Sequence, residues 1–499
     1  MTALLDKLTS GMPIPFGGNR VAVVPPALAD AFKAGDRLVV VQETGALLHV
    51  PAAVQAIAED AVGRAHDAFR EMGRVSDDKI TDFFETFANL LADEERWSAI
   101  AAANAADVEK AKTAGRTTTR LVADEKMRQG MIEGLRGWAS SDVRRDRVLA
   151  RVEHPGWSIE QLAAPLGVVA FVFEGRPNVF ADACGVLRSG NTAVFRIGSD
   201  ALGTARAIME VVKVALQAQG LPEGAVSLVE SPERSAGWAM FSDTRLALAV
   251  ARGSGAAVAQ LGAVARQAGV PVSLHGTGGA WLIAAHDADA ERFAAVVETS
   301  LDRKVCNTLN VCCIPASRAE DLVPVFLQAL EQAGRKRGHG CKLHFTEETR
   351  TYLPAHWQTA RTLVRRAEGD VEEALADPID HDQLGREWEW EDTPEVSLAV
   401  VSSLDHAINW FNDYSPQFDA SLISDDTTAH DAFYKRINAP FVGDGFTRWV
   451  DGQYALNKPE LGLSNWEHGR LFARSGILSG DGVYTVRSRV RQTDPSLRR

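Results

Sequence analysis

Cysteine is scarce in this sequence: a chain of 499 residues contains five, and no two of them form a CxxC pair. A small odd number without that spacing is a poor basis for a disulfide framework, and it lacks the paired cysteines of zinc and redox motifs. We therefore expect five reduced thiols, at Cys184, Cys306, Cys312, Cys313 and Cys341.

Long apolar runs are lacking as well. A typical run, residues 166–173, stops at Glu174, whereas a membrane-spanning helix needs about 20 apolar residues. The N-terminal residues include Asp6 and Lys7 within a short apolar start and show no small-residue cleavage pattern, unlike a secretory signal. These absences predict a cytoplasmic protein without a membrane span.

Positive charge is in deficit, with 53 Lys and Arg against 66 Asp and Glu and a formal net charge of -13. Such a chain repels nucleic-acid backbones and anionic lipids, so we expect neither nucleic acid nor membrane as a partner. The HExxH, GxxxxGK[ST] and EF-hand patterns are also absent. The usual sequence support for a metal site or for ATP-driven phosphoryl transfer is therefore missing, and we expect no metal.

The sequence does contain a regular alternation of short β-rich segments with longer amphipathic ones. It begins at Pro165, after a helical region at residues 52–138 and a hairpin pattern at residues 148–163. The predicted strands are 166–173, 191–197, 225–230, 246–251 and 271–275, and the predicted helices are 181–190, 200–220 and 255–269. Strand, crossover helix and parallel strand in succession predict a doubly wound α/β sheet. A similar pattern from Trp281 to about Ser424 predicts a second sheet of this kind.

Cys306 lies in a polar segment, with Arg303 and Lys304 just before it and Asn307 and Thr308 just after it. Nearby cations favour a thiolate, and a turn offers backbone N–H groups to a developing oxyanion. The other four cysteines are expected to be inert, small hydrophobic residues. The residue pattern alone leaves open whether Cys306 is a nucleophile or a fifth inert thiol.

A glycine-containing turn, ARGSGA at residues 251–256, closes one predicted strand and opens a predicted helix. Turns of this kind present N–H groups that can bind a phosphate. This one lacks the third glycine of the dinucleotide fingerprint, and no acidic residue follows at the distance expected for holding a ribose. On these residues alone, a purely structural turn is favoured over phosphate binding.

A continuous stretch, residues 165–201, contains Arg-Pro-Asn-Val, an Asp-Ala pair, Ser-Gly-Asn and a basic residue at the end of the next strand. Related segments lie at residues 220–226, 251–256, 305–308, 403–408, 447–448, 451–452 and 471–487. Together they resemble the aldehyde dehydrogenase superfamily, and within it the γ-glutamyl phosphate reductase family of proline biosynthesis. The likeness spans residues from about 52 to 490.

The resemblance implies an aldehyde dehydrogenase-like fold of two doubly wound α/β domains plus an oligomerisation hairpin. Residues 1–50 are an N-terminal extension, and residues 51–274 are a cofactor domain that contains the hairpin at 148–163. Residues 275–450 are a catalytic domain, and residues 451–499 return to supply a strand near 483–490 that pairs with the hairpin. Sharing of that sheet between subunits implies a homodimer or a tetramer.

The resemblance also implies site residues. Cys306 is the nucleophile that forms a thiohemiacetal or thioester, and the Asn178 amide with the backbone N–H of Cys306 stabilises the oxyanion. Alternatively, Asn178 caps the helix that starts nearby, or it does both. Arg176, Asn307, Thr447 and Arg448 are the implied substrate contacts, and Arg448 and Lys304 are candidates to hold phosphate.

For the cofactor, Arg196 falls where the superfamily places a lysine against the adenosine ribose, and Ser199 falls near the glutamate of NAD-preferring members. An arginine without a nearby carboxylate suits a 2′-phosphate, so NADP(H) is favoured over NAD(H). The alternative is that Arg196 is a surface arginine. The remaining implied cofactor contacts are Gly198, Gly253, Ser254 and Gly276.

One departure from the superfamily bears on the reaction. Hydrolytic members activate water with a glutamate, but the corresponding segment here, residues 271–281, contains no carboxylate. His275 is either a replacement base or a structural residue. The pattern favours exchange of the acyl group with phosphate, so a semialdehyde or acyl phosphate is the expected substrate, most specifically L-glutamyl 5-phosphate. An aldehyde or CoA-acylating dehydrogenase and a non-catalytic scaffold are the alternatives.

Overall fold

The computed structural model describes residues 4–116, 118, 121–143, 145–173, 175–366, 369–450, 455–457, 460–466 and 476–498. The chain divides into two compact units. The first unit comprises residues 1–276, 458–463 and 477–499, and the second comprises residues 277–457 and 464–476. The N-terminal extension therefore belongs to the same unit as the helical region and the first predicted sheet.

The extension is made of two small hairpins and one short helix. Its elements are β1 (Pro13–Phe16), β2 (Arg20–Val23), α1 (Pro26–Ala31), β3 (Arg37–Val40) and β4 (Leu47–Val50). Leu8, Val24 and Phe32 form its small core. The backbone N–H of Gln42 donates to the Gln267 side chain at 3.1 Å, which fastens the extension to the rest of the first unit.

The helical region contains four helices: α2 (Ala52–Met72), α3 (Asp77–Ala92), α4 (Glu94–Thr113) and α5 (Glu125–Ser140). Three of them begin at a residue whose side chain accepts a backbone N–H of the first turn, namely Ser76, Asp93 and Asp124. Such N-caps satisfy backbone donors that a helix leaves unpaired. The predicted helical region is therefore confirmed.

The first unit continues with a hairpin and a five-stranded sheet. The strands are β5 (Val148–His154), β6 (Trp157–Pro165), β7 (Val168–Phe173), β8 (Thr192–Ile197), β9 (Val226–Leu228), β10 (Leu246–Arg252) and β11 (Val272–His275). The helices are α6 (Val179–Ala183), α7 (Leu202–Gln219), α8 (Ser235–Phe241) and α9 (Gly255–Gln267). The sheet order is β11-β10-β7-β8-β9 with every pair parallel, which confirms the predicted doubly wound sheet. The short helix α8 was not predicted.

The second unit is built on a seven-stranded sheet. Its strands are β12 (Ala280–Ala284), β13 (Leu309–Pro315), β14 (Lys342–Phe345), β15 (Arg361–Arg366), β16 (Gly369–Ala374), β17 (Ala376–Pro378), β18 (Glu395–Val401), β19 (Asp419–Ile423) and β20 (Phe441–Gly443). Its helices are α10 (Ala290–Thr299), α11 (Ala319–Lys336), α12 (Ala355–Thr359), α13 (Leu404–Tyr414) and α14 (Thr427–Arg436). The order β17-β14-β18-β13-β12-β19-β20 confirms a second parallel α/β sheet, while β15 and β16 form a separate antiparallel hairpin.

The C-terminal residues return to the first unit as β21 (Gly462–Leu463), β22 (Ile477–Leu478) and β23 (Tyr484–Gln492). Strand β23 pairs antiparallel with β6 over its whole length, and β5 lies on the other side of β6. The expected pairing of hairpin and C-terminal strand is thus present, but it forms within one chain. This pairing does not itself link two subunits.

No helix in the described part of the chain is both long enough and apolar enough to cross a bilayer.

Asn191, in the Ser-Gly-Asn segment, joins three parts of the first unit. Its fully buried side chain accepts the backbone N–H groups of Leu166 at 2.7 Å and Gly167 at 3.0 Å, just before β7. The amide nitrogen donates to the carbonyl of Val483 at 2.7 Å, just before β23. One side chain therefore anchors the start of the central strand of the sheet and the start of the C-terminal strand.

We expect Asn191→Ala to lower the free energy of unfolding by about 2–4 kcal/mol, because two backbone donors and one acceptor lose their partner in a dry site. Urea denaturation followed by tryptophan fluorescence measures the change. Asn89→Ala is the matched control, since Asn89 is exposed on α3. An equal effect of the two substitutions would show that the buried amide contributes little.

Candidate active site

Cys306 lies on a short turn between α10 and β13. The Thr308 N–H donates to the carbonyl of Val305 at 3.1 Å and closes the turn. The Thr308 hydroxyl accepts the N–H of Val305 at 2.8 Å and donates to the carbonyl of Arg303 at 2.7 Å. Cys306 itself is half-buried. Cys306 therefore lies on a turn that these hydrogen bonds hold in place, and not in a strand or a helix.

The other four cysteines are all buried. Burial raises the pKa of the Cys184, Cys312 and Cys313 thiols far above the ordinary value and raises that of Cys341 to about 12. A protonated, inaccessible thiol is a poor nucleophile. Their predicted placement in apolar, buried surroundings is confirmed.

A pair of glycines packs directly against the backbone of Cys306. The N–H of Gly279 donates to the carbonyl of Cys306 at 2.7 Å, and Gly279 has a φ of +104°, which favours glycine. A Cβ atom on Gly278 would lie 2.8 Å from the Cα of Cys306. Residues 278–279 therefore contribute only backbone to this contact with Cys306.

Glu387 is a residue that the sequence analysis missed. Its carboxylate accepts the N–H of Gly278 and forms an ion pair with Lys304. Asn310 holds the flanking backbone: it accepts the N–H of Trp388 at 2.9 Å and donates to the carbonyl of Arg386 at 2.9 Å. Lys304, one of the two cations that directly precede Cys306 in this segment, is therefore paired with a carboxylate, which reduces its capacity to stabilise a thiolate or to hold phosphate. Glu387 lies in an irregular segment, where no periodic pattern points to it.

Three implied substrate contacts, Asn307, Thr447 and Arg448, are buried beside the Cys306 turn, and the last two both donate hydrogen bonds to Asn307. The Thr447 hydroxyl donates to the carbonyl of Asn307 at 2.7 Å, and the Arg448 Nε donates to the Asn307 side chain at 3.1 Å. Arg448 also pairs with Asp302. The structure brings these residues to Cys306, as expected, but with contacts to protein groups. Their burial favours a role in holding the turn over direct contact with substrate or phosphate.

In the first unit, Asn178 immediately precedes α6. Its side chain forms no cap hydrogen bond with this helix in the described structure, so the capping alternative is wrong. The amide nitrogen instead donates to the carboxylate of Asp182 at 3.2 Å. An amide NH₂ group has two hydrogens, so one remains for another acceptor.

Asp182 occupies an unusual electrostatic environment. Burial is the largest cause that raises its pKa, Arg252 and Arg176 lower it, Glu460 raises it, and the net result is a pKa of about 7. Arg252 and Glu460 are themselves 3.5 Å apart. The partner of the Asn178 amide therefore changes its charge near neutral pH, and the implied substrate residue Arg176 belongs to the same cluster.

Arg196 ends β8 and is 9% exposed, so the surface-arginine alternative is wrong. Its guanidinium donates to the carbonyl of Glu233 at 3.0 Å. Its Nε is buried without a hydrogen-bond partner among the described residues. Burial and the neighbouring Arg234 lower the pKa of Arg196. Two adjacent arginines, one with an unsatisfied donor, form a local environment that an anionic group would stabilise.

The neighbourhood of Ser199 differs from the expectation in one respect. The Ser199 hydroxyl lies 3.4 Å from the carboxylate of Asp200, so a carboxylate is present next to this position. Asp200 pairs with Arg116, a partner from the end of α4 that sequence proximity did not reveal. That ion pair offsets the negative charge locally. Gly198, the preceding residue, links β8 to this turn.

The glycine-containing turn joins β10 to α9. The N–H of Gly253 donates to the carbonyl of His275 at 3.3 Å, and Ser254 is the N-cap residue of α9. A Cβ atom on Gly276 would lie 3.1 Å from the Cα of Gly255. The predicted cofactor residues Gly253, Ser254 and Gly276 thus meet at one tightly packed edge of the first sheet, where small residues let backbone approach a ligand closely.

No group of three or more His, Cys, Asp or Glu side chains in the described ranges is arranged to bind a metal.

Comparisons with known proteins agree with these features. The aldehyde dehydrogenase family model matches residues 39–344. The γ-glutamyl phosphate reductase of Rhodopirellula baltica is 29% identical over 431 residues, which cover 85% of this chain and 91% of the relative. These findings confirm the resemblance drawn from the sequence motifs.

Two solved structures show the same fold. The γ-glutamyl phosphate reductase of Thermotoga maritima superposes with a TM-score of 0.77 at 23% identity and covers 89% of this chain and 100% of its own. An engineered glycolyl-CoA reductase with bound NADP⁺ superposes with a TM-score of 0.58 at 15% identity and covers 88% of this chain and 98% of its own.

We expect Gly278→Ala to lower kcat for aldehyde-dependent reduction of NADP⁺ about 100-fold, since a shift of about 1 Å at a reacting group has that effect. Steady-state kinetics measures kcat, and a fluorescence titration measures the Kd for NADPH. The Kd should change less than about two-fold, because the predicted cofactor residues lie in the other unit. Gly445→Ala is the matched control, as its Cβ would meet no atom within 4 Å. Full activity of Gly278→Ala would show that the turn tolerates displacement.

Proposed function

Because this chain belongs to the aldehyde dehydrogenase family of oxidoreductases, we propose that it reduces an acyl phosphate, L-glutamyl 5-phosphate, to the semialdehyde and inorganic phosphate with NADPH. One observation carries the choice of phosphate over water. The turn of Cys306 packs against two glycines, and Glu387, a carboxylate that contacts Gly278, is already bound by Lys304 and by the N–H of Gly278. The names of the sequence relatives support the same substrate.

Cys306 is the proposed nucleophile. Its thiolate attacks the acyl carbon, the carbon–sulfur bond forms, and the bond from that carbon to the phosphate oxygen breaks, which releases inorganic phosphate. Bound NADPH supplies the hydride that converts the acyl carbon to the aldehyde. The carbon–sulfur bond then breaks, and its electron pair returns to Cys306 as thiolate.

Asn178 is the proposed oxyanion donor, together with the backbone N–H of Cys306. Asp182 accepts one hydrogen of the Asn178 amide, which orients the NH₂ group and leaves its second hydrogen for the oxyanion. Asn307, Thr447 and Arg448 hold the Cys306 turn in place through their buried contacts. Arg176 remains a proposed substrate contact.

NADP(H) is the proposed cofactor in preference to NAD(H). The buried Arg196, with an unsatisfied Nε, and the neighbouring exposed Arg234 suit the 2′-phosphate. Asp200 next to Ser199 would disfavour that phosphate, but its pairing with Arg116 offsets the charge. The turns at Gly198 and at residues 253–254, with Gly276, are proposed to approach the rest of the dinucleotide.

For cofactor preference, we expect Arg196→Gln to raise the KM for NADPH about 10- to 100-fold, as loss of a charge-assisted hydrogen bond does, while the KM for NADH changes little. Initial rates with each cofactor give the comparison. Arg206→Gln is the control, since Arg206 is an exposed arginine of α7 that pairs with Glu230. Equal changes for both cofactors would remove Arg196 from the 2′-phosphate site.

For the acyl acceptor, we expect oxidation of glutamate 5-semialdehyde by NADP⁺ to be about 100- to 10,000-fold slower without phosphate, because water attack lacks a positioned base. The reaction should be reversible, and arsenate should replace phosphate. The initial rate of NADPH formation in a buffer free of phosphate measures this dependence. Equal rates with and without phosphate would overturn the acyl-phosphate assignment, and stimulation by CoA instead would favour a CoA-acylating dehydrogenase.

Three variants serve as controls for the same assay. Cys306→Ala should abolish both directions while NADPH still binds, whereas Cys313→Ala should alter stability through packing alone. Glu387→Gln tests whether this carboxylate activates water, because it would then remove any phosphate-independent rate. Failure of the unmodified protein to bind cofactor at all would support the non-catalytic scaffold.

A homodimer or tetramer is proposed from the surface of the β23-β6-β5 sheet. Strand β5 is exposed along its whole length, with Val148, Leu149 and Val152 on its surface, and β23 exposes Val486 and Val490. Exposed apolar residues on unpaired edge strands are typical of surfaces that a second chain covers.

A further inference from the structure

A buried aromatic stack adjoins Glu387 in the second unit. The imidazole of His344 and the indole of Trp388 lie face to face, with ring centroids 3.6 Å apart and an interplanar angle of 10°. Both residues are buried. Trp388 directly follows Glu387 in the chain. The contacts that fix Trp388 therefore also fix the backbone from which the Glu387 side chain extends.

Trp388 is held through its backbone and through its ring. Its backbone N–H donates to the Asn310 side chain at 2.9 Å, and its indole N–H donates to the Ser397 hydroxyl at 2.8 Å. The guanidinium carbon of Arg386 lies 4.5 Å from the centroid of the indole, within the range of a cation–π contact. Together with the His344 stack, these contacts give the indole one orientation.

His344 is held in turn by a chain of charged side chains. Its Nε2 lies 2.7 Å from the carboxylate of Glu395, which also accepts from Arg366 at 2.8 Å. Burial alone would raise the pKa of Glu395, but the hydrogen bonds from His344 and Arg366 lower it. An ionised carboxylate only accepts hydrogen bonds, so the imidazole donates from Nε2. Buried ion pairs contribute little net stability over apolar packing, and their best-supported role is to fix one geometry.

The Glu387 carboxylate lies close to the candidate nucleophile. A Cβ atom on Gly278 would lie 2.8 Å from both Glu387 Oε1 and the Cα of Cys306, so these two atoms are at most twice that distance apart. Lys304, which pairs with the same oxygen, has its Nζ 3.4 Å from the carbonyl oxygen of Val305. A carboxylate and an ammonium group therefore both lie at the Cys306 turn. They affect the ionisation of a nearby thiol in opposite directions.

We propose that Trp388 is a positioning residue that holds the Glu387 carboxylate against Lys304 and thereby limits the reactivity of the Cys306 thiol in the absence of substrate. His344 and Arg386 act on the site only by orienting the indole. The inference rests on the proposed role of Cys306 as the nucleophile. It deepens that role by assigning control of the thiol to residues outside its turn.

The test measures alkylation of Cys306 by iodoacetamide at neutral pH, with peptide mass analysis that follows all five cysteines separately. We expect Glu387→Gln to raise the rate constant at Cys306 about 10-fold, because Lys304 loses its counter-charge and an unpaired cation favours a thiolate. Trp388→Leu should raise it about 3- to 10-fold, because the carboxylate is displaced rather than removed. Trp388→Phe, which keeps a ring for the His344 stack, should restore most of the original rate constant.

A double variant separates positioning from general packing. Glu387→Gln combined with Trp388→Leu should react no faster than Glu387→Gln alone, because Trp388 acts through Glu387. Trp357→Leu is the matched control, since Trp357 is another buried tryptophan of the same core. It should lower Tm, as Trp388→Leu does, because both leave a cavity, but it should not change the rate at Cys306. If Trp388→Leu does not fold, His344→Gln removes the other ring of the stack and serves in its place.

Three results would overturn the positioning role. The first is an unchanged rate at Cys306 in Trp388→Leu, and the second is a double variant in which the two effects multiply. The third is alkylation of the buried Cys312 and Cys313 in Trp388→Leu, or an equal rise in Trp357→Leu, since either shows general loosening of the second unit. The assay contains no substrate or cofactor, so a failure of the unmodified protein to oxidise any aldehyde would overturn the proposed function alone.

Discussion

The closest backbone contact around the candidate nucleophile is the constraint on which the rest of the site depends. Residues 278–279 approach the Cys306 backbone so closely that a Cβ atom cannot be accommodated at Gly278, and the Gly279 N–H fixes the carbonyl of Cys306. Side chains add to this backbone contact, since Glu387 accepts the N–H of Gly278 and Thr447 donates to the carbonyl of Asn307. The position of Cys306 is therefore set by backbone and side-chain contacts together.

Two cations of the nucleophile's surroundings are paired with acids. Lys304, next to Cys306 in the sequence, pairs with Glu387, and Arg448, which contacts Asn307, pairs with Asp302. Because each of these cations is bound to an acid, the pair adds little net positive charge to its surroundings. Stabilisation of a thiolate or an oxyanion then depends on oriented N–H groups, which carry no net charge and need no counter-ion.

Sequence reasoning reached the two parallel sheets because their strands and helices have strong periodic patterns and glycine-marked ends. It also distinguished the half-buried Cys306 from the four buried cysteines, since a polar segment set it apart from their apolar surroundings. It missed α8, the β15–β16 hairpin and Glu387, which are short or irregular. The capping alternative for Asn178 was wrong, and the carboxylate of Asp200 next to Ser199 was not taken into account, because both depend on side-chain directions that spacing does not specify.

The placement of β23 has a consequence for how the chain acquires its structure. The first unit contains residues 1–276 but lacks its last strand, and the Val483 partner of Asn191, until residues 477–499 have been synthesised. The second unit emerges from the ribosome before that strand does. Contacts between residues so far apart in sequence form slowly. Most of the second unit is therefore available to fold while the first unit still exposes the open edge of β6, which makes this edge the point at which a nascent chain most needs protection from aggregation.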